Sequence, residues 1–217
     1  MIGVVIPAHN EEALLGRCLA SVALASRHPA LRGEPVRVVV VLDGCTDGSE
    51  RVARRWGAST LSVEARNVGE ARARGCLWLM GQGARWLANT DADSRVFPDW
   101  LVAQLALDAE AVCGVVEVED WSPHASRVRQ RYEAAYRDVE GHSHIHGANL
   151  GVDARAYVRA GGFPPLSAHE DVALVNGLRD TGARIAWSAR PRVLTSARRE
   201  PRARGGFGDY LLGLAMD

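Results

Sequence analysis

Val36 to Leu42 is an almost unbroken β-branched run, and it stops at a polar turn made of Asp43, Gly44, Cys45, Thr46, Asp47 and Gly48. A run without polar alternation fits a strand covered on both faces, as in a parallel sheet layered under helices. Shorter runs repeat the theme. Ile2 to Pro7, Thr60 to Val63 and Trp86 to Thr90 read as strands, and the stretches between them carry apolar residues at helical period. The alternation predicts an α/β fold, a mainly parallel central sheet flanked by helices, with Val36 to Leu42 at its centre.

Asn10 is expected to cap the first helix, with Glu11 and Glu12 in the first turn and Leu14, Leu15, Cys18, Leu19 and Val22 facing the core. Ser49 to Trp56 forms the second helix, and Asn67, with Glu70 three residues on, opens the third. Beyond Asp93 the pattern weakens. Pro98 to Asp108, Ser126 to Val139 and Asp171 to Thr181 read as helices, Val112 to Val118 as a strand, with further strands near Ile185 and Val193. The arginine- and glycine-rich stretch from Arg198 to Gly208 reads as a mobile loop. A length of 217 residues suits one domain.

Composition narrows the chemistry. Basic and acidic residues balance at 26 each, so no overall field draws the chain to nucleic acid or an anionic membrane. Lysine is absent, which excludes a P-loop and a lysine Schiff base. Cys18, Cys45, Cys76 and Cys113 form no Cys-x-x-Cys pair and are expected to be reduced thiols in a cytoplasmic protein. No apolar run approaches the roughly 20 residues needed to span a bilayer, and no basic segment leads into an apolar one at Met1. Peripheral contact with a membrane surface stays open, as does the oligomeric state.

In an open parallel sheet, ligands bind beyond the carboxyl ends of the strands. Three polar clusters meet that condition: Pro7 to Glu11, Asp43 to Asp47, and Asp91 to Asp93. The last is the sharpest, because two carboxylates one residue apart can share a Mg2+ or Mn2+ ion whose open positions hold a diphosphate. Aspartates that merely cap a turn before Pro98 would look the same in isolation.

The context is a resemblance. "VVIPAHNEE", "VVVVLDGCTDGS", "NVGEARARG", "WLANTDADS", "GANLGVDARAYVRAGGF" and "HEDVALVNGLRDTGARI" resemble, in order and spacing, the successive motifs of family 2 glycosyltransferases of the GT-A fold. The resemblance implies an inverting enzyme that moves a sugar from a nucleotide-diphosphate donor, most commonly a UDP-sugar, to an acceptor hydroxyl. It divides the chain into a nucleotide-sugar half (1–95), an acceptor half (96–197) and a tail (198–217). Pro7, Ala8, His9, Glu11, Asp43, Asn67, Gly69, Asp91, Ala92 and Asp93 would bind donor, with Asp43 on the base or ribose and Asp93, joined by Asp91, on the metal. Asp171, beside Glu170, would be the general base. His146, Gly147, Ala148 and Asn149 would lie between donor sugar and acceptor. Arg198, Arg199, Arg202 and Arg204, hinged at Gly205 and Gly206, would close over the diphosphate.

The chain also departs from the family pattern. Leu42 stands where many members have a second acid, Cys45 stands where serine is common, and Leu194, Thr195 and Ser196 occupy a stretch where some members place a histidine metal ligand. His142, His144 and His146 alternate, which raises a separate three-histidine metal site beside the alternative of polar cleft lining. Competing functions are a nucleotidyltransferase, disfavoured by the missing glycine-rich loop and lysine, a non-catalytic sugar-nucleotide binder, and a retaining transferase.

Overall fold

A computed structural model describes residues 1–199 and 206–216. Its eight strands are β1 (Ile2–Ala8), β2 (Val36–Asp43), β3 (Ser59–Val63), β4 (Trp86–Asn89), β5 (Arg95–Val96), β6 (Ala111–Val118), β7 (Leu150–Asp153) and β8 (Ile185–Thr195). They form one sheet in the order β3-β2-β1-β4-β7-β6-β8-β5. β1 to β4 run parallel, as do β6 and β8, while β7 pairs antiparallel with both β4 and β6, and β5 antiparallel with β8. The helices are α1 (Glu12–Ala25), α2 (Ser49–Arg55), α3 (Val68–Gly81), α4 (Trp100–Leu105), α5 (Ser126–Ala135), α6 (Ala154–Arg159), α7 (Glu170–Asp180) and α8 (Phe207–Met216).

Side-chain alternation along the strands builds a core on each face of the sheet. Ile2, Val4 and Ile6 of β1, with Val40 and Leu42 of β2, pack against Leu15, Cys18, Leu19 and Val22 of α1. Val5, Val39 and Val41 point the other way, to Ala71, Cys76 and Leu79 of α3 and Leu174 and Leu178 of α7. The mainly parallel α/β architecture is therefore the one the apolar runs predict. β2 is not its centre: it lies one strand in from the β3 edge, and its first three residues are only partly covered because β3 pairs with it from Val39 onward.

Other expectations change in detail. Asn10 does not cap α1; it sits at φ 53°, and its Oδ1 accepts the Thr46 N–H at 2.8 Å, tying the β1 turn to the β2 turn. The cap position belongs to Glu11. Asn67 does cap α3, accepting the Glu70 N–H at 3.0 Å. The strands expected near Ile185 and Val193 are one, β8, whose pairing with β6 slips between Cys113 and Val115. Asn149 fills that slip: its Nδ2 donates to Val115 O and Pro191 O at 2.7 and 2.8 Å, and its Oδ1 accepts the Trp100 indole N–H at 2.8 Å. Gly114 must lack a side chain here, since a Cβ would lie 2.3 Å from Asn149 Nδ2.

Of the stretch expected to be a mobile loop, residues 200–205 lie outside the described residues; from Phe207 the tail is helical and packed on α5, where Arg131 and Arg127 donate to Leu214 O and Ala215 O at 2.7 and 3.3 Å and satisfy carbonyls of the last turn. All four cysteines are free thiols. Among the described residues no helix is long and apolar enough to cross a membrane.

Candidate active site

The parallel register of β1, β2 and β4 brings three turns to one edge of the sheet. Asp43 closes β2, and its carboxylate gathers backbone N–H groups from the turn after β3. Oδ1 accepts from Ala65 and Arg66 at 2.8 and 2.7 Å, and Oδ2 from Asn67 at 2.7 Å. His9 Nδ1 lies 2.6 Å from Asp43 O. The same loop is held from the far side, where Asn67 Nδ2 and Gly69 N donate to Pro165 O and Leu166 O. Pro7 and Ala8 end β1 beside Val41 and Leu42.

Beyond β4, Asp91 and Asp93 diverge. Asp93 turns toward Glu11, and both carboxylates meet Arg198: Nη2 is 2.9 Å from Asp93 Oδ2 and 2.7 Å from Glu11 Oε1, while Nη1 donates to Glu11 Oε2 at 3.0 Å. Burial, reinforced by the charges of Asp91 and Glu11 and opposed by Arg198, pushes the Asp93 carboxyl up to about 6. A cavity of about 470 Å3 opens beside this corner, lined by Leu14, Arg17, Asp93, Ser94 and Arg198. The larger groove, about 560 Å3 between Val36, Trp56 and Trp78, carries no carboxylate or histidine and offers no comparable chemistry.

Asp91 instead accepts from Arg72, its Oδ1 2.6 Å from Nη2, and Arg72 Nε donates to Glu170 Oε1 at 3.0 Å. Burial alone would favour a neutral guanidine, but the charges of Asp91, Glu170 and Asp171 outweigh it and raise the Arg72 pKa. Burial raises the Glu170 carboxyl, against the pull of Arg72. Asp171, in the first turn of α7, accepts the Gly147 N–H through Oδ2 at 2.7 Å and the Val172 N–H through Oδ1 at 2.8 Å. His146 follows a ring column in which Tyr136 stacks on His144 at 4.1 Å, and its Nε2 is 3.0 Å from Tyr136 Oη. Burial pushes the His146 imidazole down to about 3, so it is neutral.

Comparison with known proteins then decides the family. Residues 3–157 match the family described as "Glycosyl transferase family 2". The chain belongs to that family. Solved structures share its architecture. A structure of S. aureus TarS 1–349 in complex with UDP aligns with TM-score 0.65 and 14% identity over 88% of this chain and 60% of that chain. The mannosyltransferase PcManGT from Pyrobaculum calidifontis, in complex with GDP-Man and Mn2+, gives TM-score 0.67 and 20% identity over 94% and 58%. M. tuberculosis glucosyl-3-phosphoglycerate synthase, with Mn2+, UDP and glucosyl-3-phosphoglycerate, gives 0.63 and 19% over 100% and 76%. This family 2 chain thus spans about three fifths of the length of TarS 1–349 and of PcManGT. A search of curated proteins finds no match.

The structure of the family 2 chain brings Glu11, Asp91, Asp93, Arg198, Glu170, Asp171 and Gly147 together. It places others apart from this group. Asn149 is fully buried as the strut described above, and Ala148 is buried beside it. His142, His144 and His146 stack, with ring centroids 5.3 and 5.9 Å apart, and do not converge on a point; among the described residues no group of three or more His, Cys, Asp or Glu side chains is placed to hold a metal. Arg198 lies on the acids rather than above them, Arg199 is exposed, and Arg202, Arg204 and Gly205 lie outside the described residues.

A divalent cation still fits. Glu11 and Asp93 direct two carboxylates at one nitrogen of Arg198, and a hard cation asks for few protein carboxylates when phosphate oxygens and water complete its shell. Sequence reasoning passed over Arg72, although a signal was present: an arginine on the stripe of Gly69, Cys76 and Leu79 faces the core and must find buried acids.

Proposed function

We propose that the chain transfers a sugar from a nucleoside diphosphate donor to an acceptor hydroxyl in one in-line displacement, with inversion at the anomeric carbon and assistance from Mg2+ or Mn2+. The observation that carries this reading is a division of labour among acids at one sheet edge: Glu11 and Asp93 converge on Arg198 Nη2, where a cation would sit, and Asp171 stands apart, oriented by the Gly147 N–H. UDP is the favoured donor nucleotide, with GDP and dTDP as alternatives; the neighbours in fold were solved with UDP or GDP-Man.

The donor's nucleoside lies against Pro7, Ala8, His9, Asn67 and Gly69. Asp43 shapes that pocket through the three N–H groups it holds, and a carboxylate's roughly four acceptor directions leave it one for the ribose or base. The family-implied metal pair was Asp93 with Asp91. With Asp91 committed to Arg72, Glu11 is the better partner for Asp93, and Asp91 faces the ribose. A cation bound there supplies neutralisation of the departing diphosphate. Asp171 accepts the hydroxyl proton as the acceptor oxygen bonds to the anomeric carbon and the bond to the diphosphate oxygen breaks. His146, neutral beside this point, offers a hydrogen bond without competing for the proton. The leaving electrons reside on the nucleoside diphosphate.

A thermal-shift screen of UDP, GDP and dTDP, each with and without Mn2+, tests the donor half. A nucleotide at 100 times its dissociation constant adds about 2.7 kcal/mol of stability. A shift that requires Mn2+ for one nucleotide supports the reading; no shift with any of them refutes it.

A further inference from the structure

Among the described residues Arg72 is, after Trp100, the largest fully buried side chain, and no step above uses it. Burying a guanidinium carries an effective penalty of several kcal/mol, and well-packed apolar residues often serve a core equally well or better. Stability alone is therefore a poor reason for its presence. Its contacts are more specific. Nη2 meets Asp91 at the end of β4 and Nε meets Glu170 at the start of α7, so one rigid fork spans the donor-side and base-side acids. A Cβ on Gly147 would lie 2.6 Å from Nη2, so the guanidinium occupies the space a side chain would take there. The N–H of that same Gly147 holds Asp171 Oδ2. Among the described residues Nη1 has no hydrogen-bond partner, so the fork is placed to serve the two acids rather than to satisfy all its own donors.

We infer that Arg72 is a positioning residue for transfer: it fixes the base Asp171 relative to the donor-side Asp91, through Glu170 on one side and the Gly147 amide on the other. The inference rests on Asp171 being the base. Lysine keeps the charge but not the fork, so Arg72→Lys separates electrostatic support of the fold from positioning.

The test uses the full chain with Mn2+, UDP-GlcNAc and GDP-mannose as donor probes, and release of nucleoside diphosphate to water as the readout, which requires no acceptor. In Arg72→Lys, kcat is expected to fall about 10- to 100-fold, as for a displaced catalytic group, while the donor KM stays within about threefold. Unchanged kcat, or a change confined to KM, overturns the inference. Asp171→Asn run alongside separates the two claims. If it retains full release, the assigned base is wrong; if it is inactive while Arg72→Lys is fully active, only the inference about Arg72 fails. Should the wild type release neither nucleotide, amide exchange measured by NMR decides. Arg72→Lys should speed exchange of the Gly147 amide and leave β1 and β4 amides protected; unaltered Gly147 exchange overturns the inference. If Arg72→Lys does not fold, Arg72→Met combined with Glu170→Met removes the buried pair and leaves unpaired only Asp91, whose side chain is partly exposed, and the same outcomes apply.

Discussion

Arg198 Nη2 lies between Asp93 Oδ2 and Glu11 Oε1, at 2.9 and 2.7 Å, where the proposed divalent cation would bind. A buried acid and a largely buried one so close together demand a positive partner, and their charges, with that of Asp91, raise the Arg198 pKa against the effect of burial. Guanidinium and metal are then alternative occupants of one corner.

Arg198→Gln should therefore tighten binding of Mn2+ alone by about tenfold, because no occupant has to be displaced. In the absence of metal the variant should lose about 1–3 kcal/mol of stability by leaving the acids unpaired, and Mn2+ should restore it. Isothermal titration and melting curves measure both. Unchanged Mn2+ affinity would remove competition from the account.

Asp171→Asn should keep the fold within about 1 kcal/mol, since an amide oxygen can still accept the Gly147 N–H. Donor binding should persist while transfer falls about 100- to 10,000-fold, the range for loss of a general base. Calorimetry on the donor and single-turnover assays read the two effects separately.

Asn149→Leu tests a residue that the family resemblance places beside the sugar and whose side chain the structure places between β6 and β8. It strands the Trp100 indole N–H and the carbonyls of Val115 and Pro191, and should cost about 3 kcal/mol or more in denaturant unfolding. Catalytic loss in a variant of undiminished stability would return Asn149 to the cleft.

Acid stability isolates His146. Its folded pKa, about 3, is depressed below the unfolded value near 6.5, so its contribution is complete above about 6.5 and is lost as pH falls toward 3. Asp93 acts oppositely: its folded value of about 6 is raised, so its contribution is present below about 4 and is lost as pH rises through 6. His146→Phe removes only the first effect. The variant should lose less stability than the wild type between pH 6.5 and 4, measured by urea unfolding; parallel pH profiles would contradict the burial of a neutral ring.

The fold was legible where local pattern and tertiary role coincide. β1, β2 and β4 are apolar runs that stop at polar turns, and their parallel register alone brings Ala8, Asp43 and Asp91 to one edge. It was less legible where an element is defined by its partners. β5 is two residues long, and β7 is an antiparallel insert between β4 and β6 that exists through pairing at both sides. α8 is apolar along most of its length but follows an arginine- and glycine-rich stretch, so local composition pointed to a loop while packing on α5 makes a helix. In the site, residue types at strand ends pointed to Asp93, and the family resemblance pointed to Asp171. The partnership of Glu11 with Arg198 and the two-acid grip on Arg72 join distant segments, and no periodicity encodes them.

The most direct measurement of the central claim is anomalous diffraction from crystals grown with Mn2+ and the nucleoside diphosphate that binds. The account predicts one manganese peak about 2.0–2.2 Å from carboxylate oxygens of both Asp93 and Glu11, bridging to the diphosphate, with Arg198 displaced from the acids. Diphosphate bound elsewhere, or bound at this edge with Arg198 still on Asp93 and no manganese, would contradict it.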